Sequence, residues 1–227
     1  MNKELHNQKS KEMIPLTLIG AFKTKDKIVL VADSRIIKNK ITGRYEDGIK
    51  KIFEIDKNKS YILVGGKMDY FNSIKEVLIF NELRKKHLSY ILLNQIAQNI
   101  SNDVLKYIKN SLDKWSAIIN YKIFLIFVSN KGKIFSLEYR SQGMDFSPID
   151  YSDRGYCLFT PIPDLEDKIL IDVGILNEKK KLKSLHSEDM KAKIEKAFQE
   201  FKKETLFISD EKPTIKEIRL TDNMGGV

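Results

Sequence analysis

Apolar residues along the chain follow two kinds of pattern, which alternate in blocks. The first kind is a short continuous apolar run bounded by a polar turn. The runs at 16–22 and 28–32, separated by the polar residues 23–27, are typical of a β-hairpin. In total such runs predict strands at residues 16–22, 28–32, 52–55, 61–64, 121–128, 133–139, 156–159, 206–209 and 214–220.

The second kind of pattern places apolar residues three and four positions apart, as on one face of a helix. Asp69 or Asn72 is a candidate cap for the first such stripe, and residues 187–189 precede the last one. The predicted helices carry these stripes: Ile74, Val77, Leu78 and Leu83; Leu92, Ile96, Ile100, Val104, Ile108 and Leu112; Leu165, Ile169, Leu170 and Val173; Met190, Ile194, Ala197, Phe198 and Phe201.

The order of these elements predicts the fold class. Strands are followed by two helices, strands, two helices and strands again, so helices and strands do not alternate one by one. A parallel βαβ sheet is therefore disfavoured. Two antiparallel sheets with helices stacked on their outer faces, an α+β architecture, fit the order better.

The predicted helices also carry apolar residues beside their main stripes. Ile79 and Phe80 flank the first stripe, and Tyr90, Ile91 and Leu93 flank the second. One sheet contact cannot cover so wide an apolar surface, and exposed patches of this kind usually mark interfaces. We therefore expect these two helices to contact other protein chains.

Composition narrows the class of protein. The chain has 227 residues, of which 42% are hydrophobic and 31% charged, as in one ordinary globular domain. The longest aliphatic and aromatic run, Ile123 to Val128, is far short of the ~20 residues that a membrane span needs. Residues 1–16 contain no apolar stretch typical of a secretory signal. Because Cys157 is the only cysteine, no internal disulfide is possible, and we expect a cytoplasmic protein without a membrane partner.

The net charge of +9 raises the question of nucleic-acid binding. The lysines are spread along the whole chain, and the one dense run lies at Lys179–Lys183. No aromatic-studded basic motif accompanies it. This distribution favours a solvated surface over a nucleic-acid interface.

Cofactor and metal chemistry find little support in the sequence. His6, His87 and His186 lie in separate segments without the spacing of a metal motif. Cys157 has no histidine nearby and is expected to be a small buried side chain. We therefore predict neither a metal nor a cofactor.

Four local patterns occur in a fixed order, and together they resemble the proteasome β-subunit family of N-terminal-nucleophile hydrolases. The segments are Thr17–Phe22, Ile28–Arg35, Lys50–Ile55 and Val64–Asp69. In that family the nucleophilic threonine opens the mature chain and an aspartate follows sixteen positions later. Thr17 and Asp33 have this spacing, and the resemblance covers most of residues 17–220.

The resemblance implies a fold and a site. The fold would be a four-layer αββα sandwich over residues 17–221, with 1–16 a propeptide or N-terminal extension and 222–227 a tail. Thr17 would be the nucleophile and, through its freed α-amine, the general base. Lys51 would raise the local positive potential, Asp33 would pair with Lys51, and the Gly65 N–H would donate to the oxyanion.

The same resemblance implies an activity and partners. The protein would be a threonine-type endopeptidase that cleaves polypeptide substrates within a homo-oligomeric ring, with a regulatory ATPase as a possible partner. Each site residue also has a plainer interpretation. Thr17 suits any strand, Asp33 and Lys51 could form a surface ion pair, and Gly65 could simply end a strand.

Some positions depart from the family pattern. Leu16, preceded by Pro15, stands where self-processing members have glycine. Asn120 is the best match to a serine that the family carries in a glycine-flanked loop. Glu204 takes the place of a supporting aspartate, and Ser209 fits its partner serine only if the loop is longer. These departures leave open an inactive protein of the same fold with a structural or regulatory role.

Overall fold

The computed structural model describes residues 17–39, 44–66, 76–110, 123–140, 145–160, 163–172, 186–204 and 212–221. Within them the strands, numbered in chain order, are β1 Ile19–Lys23, β2 Lys27–Ala32, β3 Ile36–Asn39, β4 Arg44–Glu46, β5 Ile52–Asp56, β6 Ser60–Gly66, β7 Ile123–Ser129, β8 Ile134–Arg140, β9 Asp145–Asp150, β10 Tyr156–Phe159 and β11 Thr214–Arg219. The helices are α1 Glu76–Lys85, α2 Tyr90–Asn110, α3 Pro163–Asp172 and α4 Ser187–Glu204.

The first sheet has the strand order β10-β1-β2-β11, with every pairing antiparallel. Its central hairpin joins β1 and β2 through a tight turn. Thr24 closes this turn, because its hydroxyl accepts a hydrogen bond from the Lys27 N–H at 3.2 Å and its own N–H donates to the Lys27 carbonyl at 2.8 Å. Because β1 pairs with β10 on one side and β2 on the other, its first residues are held between two strands.

The second sheet has the order β5-β6-β7-β8-β9 and is also antiparallel, while β3 and β4 form a separate ribbon. The central strands β6 and β7 are nearly continuous apolar runs because both of their faces are covered. On β6, Ile62 and Val64 pack with the helices, whereas Tyr61 and Leu63 face the other sheet.

Three apolar clusters join the sheets and helices. One lies between the two sheets and includes Ile19, Leu30 and Ile126. The second joins the β5–β9 sheet to α1 and α2, and the third joins the β1 sheet to α3 and α4. The expectation of an α+β protein with two antiparallel sheets and helices packed on them is confirmed.

Most expected strands and all four helices are present, but three strands were missed. β3 and β4 are short and carry polar residues, and β9 contains Pro148. Proline lacks an N–H donor and is tolerated at sheet edges, where β9 lies. The expected strand at 206–209 and the candidate caps Asp69 and Asn72 fall outside the described residues.

The helix surfaces differ in part from the expectation of a wide exposed apolar face. Ile79 and Leu93 are fully buried, and Phe80 is half-buried against the same cluster. That expectation was wrong for Ile79 and Leu93. On α2 the reason is that neighbouring positions are buried in pairs, Leu92 with Leu93 and then Ile96 with Ala97. Tyr90 and Ile91 do remain exposed.

Candidate active site

The register of the β1–β2 hairpin brings Thr17 close to Asp33. Ile19 pairs with Ala32, so Leu18 lies opposite Asp33 one step beyond the strands. The Asp33 N–H donates to the Leu18 carbonyl at 3.0 Å, and the Leu18 N–H donates to Asp33 Oδ1 at 2.8 Å. The Thr17 hydroxyl lies 3.4 Å from the same carboxylate oxygen.

Lys51 reaches this point from the second sheet. It directly precedes β5, and its carbonyl accepts a hydrogen bond from the Val64 N–H at 2.9 Å. Its Nζ donates to Thr17 Oγ1 at 2.8 Å, to Asp33 Oδ1 at 2.7 Å and to the Arg35 carbonyl at 2.7 Å. An ammonium group has three N–H donors, so these contacts use all of them.

The Asp33–Lys51 pair is buried, which excludes the plainer interpretation of a surface ion pair. The side chains of Lys51 and Asp33 are 1% and 0% exposed. Burial lowers the pKa of Lys51 and raises the pKa of Asp33, and the attraction between the two groups opposes both shifts. The lysine is therefore a cation that loses its proton more readily than an exposed lysine does.

Gly65 faces Thr17 across the space between the sheets. A Cβ atom at residue 65 would lie 2.5 Å from Thr17 Cγ2 and 3.2 Å from Ile19 Cδ1. The first distance is far inside van der Waals contact, so only glycine fits while Thr17 keeps this position. Alternation along β6 explains the placement, because Tyr61, Leu63 and Gly65 share the face toward the first sheet.

A second ion pair adjoins the site and was missed from the sequence. Arg35 donates from Nε to Asp47 Oδ1 and from an Nη atom to Asp47 Oδ2, both at 2.9 Å. The Arg35 side chain is 2% exposed. Arg35 belongs to a segment that the family resemblance singled out, but no local signal in the sequence joins it to Asp47.

The remaining candidates lie elsewhere. Residues 1–16, Asn120 and Ser209 are outside the described part of the chain, and Glu204 is the last residue of α4. His87 and His186 are exposed in separate segments. Cys157 is confirmed as a buried side chain, since it packs between the sheets, where burial raises the pKa of its thiol.

Metal sites and membrane-spanning helices were also sought in the described segments. No group of three or more histidine, cysteine, aspartate or glutamate side chains in them could hold a metal ion. None of the helices within these segments is long and apolar enough to cross a membrane.

Comparisons with known proteins support the fold through structure alone. No known family profile matches the sequence, and no curated protein matches it. Among solved structures, the crystal structure of eukaryotic HslV from Trypanosoma brucei matches with a TM-score of 0.56 and 15% sequence identity. The match covers 89% of this chain and 99% of that one. The chain thus has a fold similar to that of HslV.

Proposed function

We propose that this protein is a threonine-type endopeptidase of the proteasome kind, which exposes Thr17 by cleaving its own chain after Leu16. The observation that carries this proposal is the 2.8 Å hydrogen bond from Lys51 Nζ to Thr17 Oγ1 inside a buried cluster. A structural threonine in a strand does not need a buried ammonium on its hydroxyl, since burying a charge is costly.

The reaction follows from the properties of these groups. A free α-amine has a pKa near ~8, so it accepts a proton close to neutral pH. It takes the proton of the Thr17 hydroxyl as Oγ1 attacks the substrate carbonyl carbon. The charged Lys51 stabilises the developing negative charge on Oγ1, and Asp33 holds Lys51 in place. The Gly65 N–H donates to the carbonyl oxygen of the tetrahedral intermediate.

The proposal extends to the whole protein. Residues 1–16 are a propeptide, residues 17–221 form a four-layer αββα sandwich, and 222–227 are a tail. The three apolar clusters support the layered arrangement. In the cytoplasm the subunits form a homo-oligomeric ring that encloses polypeptide substrates, and a regulatory ATPase delivers them.

The sequence departures support one alternative, an inactive protein of the same fold with a structural or regulatory role. Leu16 replaces the glycine that precedes the threonine in self-processing relatives, and Pro15 restricts the backbone before it. In that case Thr17 stays inside an intact chain and never gains an amine.

Intact-mass spectrometry together with hydrolysis of fluorogenic peptides separates the two proposals. The wild type should lose residues 1–16 and cleave peptides. Thr17→Ala should keep full mass and be inactive, whereas Thr17→Ser keeps a hydroxyl and should retain some processing. A full-length wild-type protein that cleaves peptides would contradict the mechanism. A full-length protein without activity would favour the inactive alternative.

A further inference from the structure

The Arg35–Asp47 ion pair lies directly behind the groups assigned to catalysis. The main chain of Arg35 is hydrogen-bonded to both members of the Asp33–Lys51 pair. Its N–H donates to Asp33 Oδ2 at 3.1 Å, and its carbonyl accepts from Lys51 Nζ at 2.7 Å. The backbone of this one residue therefore fixes both the carboxylate and the amine.

The side chain of Arg35 determines where that backbone lies. Its guanidinium donates two parallel hydrogen bonds to the Asp47 carboxylate, and this geometry fixes the orientation of the Arg35 side chain. The Ile49 N–H donates to the Ser34 carbonyl at 3.0 Å, which joins the same two segments a second time. Asp47 and Lys51 are in turn only four positions apart, so the ion pair links both partners of the candidate site.

We propose that the Arg35–Asp47 ion pair positions Lys51 and Asp33 for the reaction and balances the charge around the Lys51 amine. This inference rests on the proposed function, and Arg35 and Asp47 act through Lys51 and Asp33 rather than on the substrate. The paired hydrogen bonds from the buried Arg35 side chain to the partly exposed Asp47 carboxylate supply the geometry. The Arg35 charge offsets part of the Asp47 charge, which otherwise attracts the Lys51 amine more strongly.

If the pair balances the charge around Lys51, replacing either partner should shift the pKa of Lys51. A pair with a purely structural role would not have this effect. Among described groups, the carboxylates that raise the pKa of Lys51 are Asp33 and Asp47, and burial acts in the opposite direction. Asp47→Asn removes one of these carboxylates, so the pKa of Lys51 should fall. Arg35→Gln leaves the Asp47 carboxylate without this counter-charge, so the pKa of Lys51 should rise.

The pH profile of kcat/KM for a fluorogenic peptide tests these shifts. Lys51 acts as a cation, so activity is lost as pH rises through its pKa. The alkaline limb should move to lower pH in Asp47→Asn and to higher pH in Arg35→Gln. The double variant should return the limb toward the wild type, but kcat/KM should stay lower by roughly tenfold to 10²-fold because the positioning contact is gone.

Two further variants serve as matched controls for net charge. Asp56→Asn and Lys59→Gln remove the same charges from an exposed pair in the β5–β6 turn. They should leave the alkaline limb in place. If Asp47→Asn and Arg35→Gln move the limb in the same direction, or leave it in place while lowering activity, the pair only supports folding and the inference is wrong.

A measurement that needs no turnover separates this inference from the proposed function. The pH dependence of the ¹³Cε signal of Lys51 reports its protonation directly, and the signal is assigned by its absence in Lys51→Met. Asp47→Asn keeps an amide oxygen for Arg35 and is the variant expected to fold best. A downward shift of the Lys51 midpoint in this variant supports the inference even if the wild type cleaves no peptide. An unchanged midpoint overturns it even if the wild type is active.

Discussion

At Lys51 a single ammonium group contacts oxygen atoms from three separate residues. Two of these oxygens, Thr17 Oγ1 and Asp33 Oδ1, belong to residues just outside strands β1 and β2 of the first sheet, while Lys51 leads into the second sheet. A group in this position is expected to be sensitive to any loss of charge, because its neighbours are buried and cannot turn to water.

Replacing Lys51 should therefore abolish most activity. Lys51→Ala removes the cation beside Thr17 Oγ1, and kcat/KM should fall by roughly 10²–10⁴-fold, as for the loss of a proton-transfer group. Lys50→Ala is the matched control, since it removes an exposed lysine one position earlier. Equal activity of both variants would remove Lys51 from the mechanism.

Stability must be measured with that experiment. Lys51→Ala leaves the Asp33 carboxylate buried without its ammonium partner, which costs roughly 3–5 kcal/mol in comparable cases. The double variant Asp33→Asn with Lys51→Met removes both charges, and we expect it to melt at a higher temperature than Lys51→Ala while staying inactive. Thermal unfolding followed by circular dichroism checks this order.

The contact between Gly65 and Thr17 predicts a pairwise effect. In Gly65→Ala the new methyl would lie 2.5 Å from Thr17 Cγ2, so the variant should lose roughly 1–3 kcal/mol of stability and most of its activity. Thr17→Ser lacks Cγ2 and keeps the hydroxyl. In a double-mutant cycle, Gly65→Ala should therefore cost less in the Thr17→Ser background. An equal cost in both backgrounds would refute a direct clash.

The family resemblance singled out four candidate site residues, and the structure brings them together, but their surroundings were not predictable from the sequence. Thr17, Asp33, Lys51 and Gly65 came from ordered motifs and spacing, and a hairpin register links the first two. The burial of the pair and its contact with the Arg35 carbonyl depend on how the two sheets stack. Such contacts between distant segments leave no local pattern.

Among the elements, the turn between β5 and β6 depends on one exposed carboxylate. Glu54 Oε1 accepts hydrogen bonds from the Asn58 N–H at 2.7 Å and the Tyr61 hydroxyl at 2.8 Å. Asn58 has a φ of 56°, a left-handed conformation that asparagine tolerates better than most residues. The hydrogen bonds from the Asn58 N–H and the Tyr61 hydroxyl lower the pKa of Glu54.

This turn should therefore be weakened at low pH. The pKa of Glu54 is lowered in the folded state. Its contribution to the free energy of unfolding is therefore complete above the unfolded pKa near ~4.3 and is lost as pH falls through the folded pKa. Glu54→Gln should lower Tm at pH 7 by at most about 2–4 °C, since solvent screens the group. The difference from the wild type should shrink at acidic pH. Glu195→Gln, an exposed change on α4, is the control, and a pH-independent difference for Glu54→Gln would contradict the assignment.

Helices and strands were predictable from the sequence where an apolar pattern was long. The prediction failed where contacts with neighbouring elements determine the local structure. The stripe of α2 predicted Leu92, Ile96 and Ile100 on the sheet, and all three are buried there. The edge strand β9 pairs with β8 despite Pro148, because an edge strand hydrogen-bonds on one side only. Pairing with β8, rather than its own residue pattern, makes this segment a strand.

For the whole molecule, the proposed ring requires an exposed apolar contact surface. On the described helices, Ile91 is 73% and Tyr90 is 48% exposed at the start of α2. Ile91→Glu should convert a large species in light scattering into a smaller one without lowering Tm. Gln98→Glu adds the same charge to the same helix and should leave assembly unchanged.

Phe80→Glu is less informative, because Phe80 packs partly on the core. A monomeric wild type at micromolar concentration would refute the ring.

The position of β1 inside its sheet has a consequence for the proposed N-terminus at Thr17. New chain ends normally fray, and aminopeptidases shorten them one residue at a time. Here the proposed end lies two residues before a strand that pairs with both β2 and β10, and Leu18 is bonded to Asp33 through both its N–H and its carbonyl. Little conformational entropy remains to be lost when substrate arrives. The same anchoring should keep the first residue out of reach of exopeptidases, so the nucleophile would persist for the life of the enzyme.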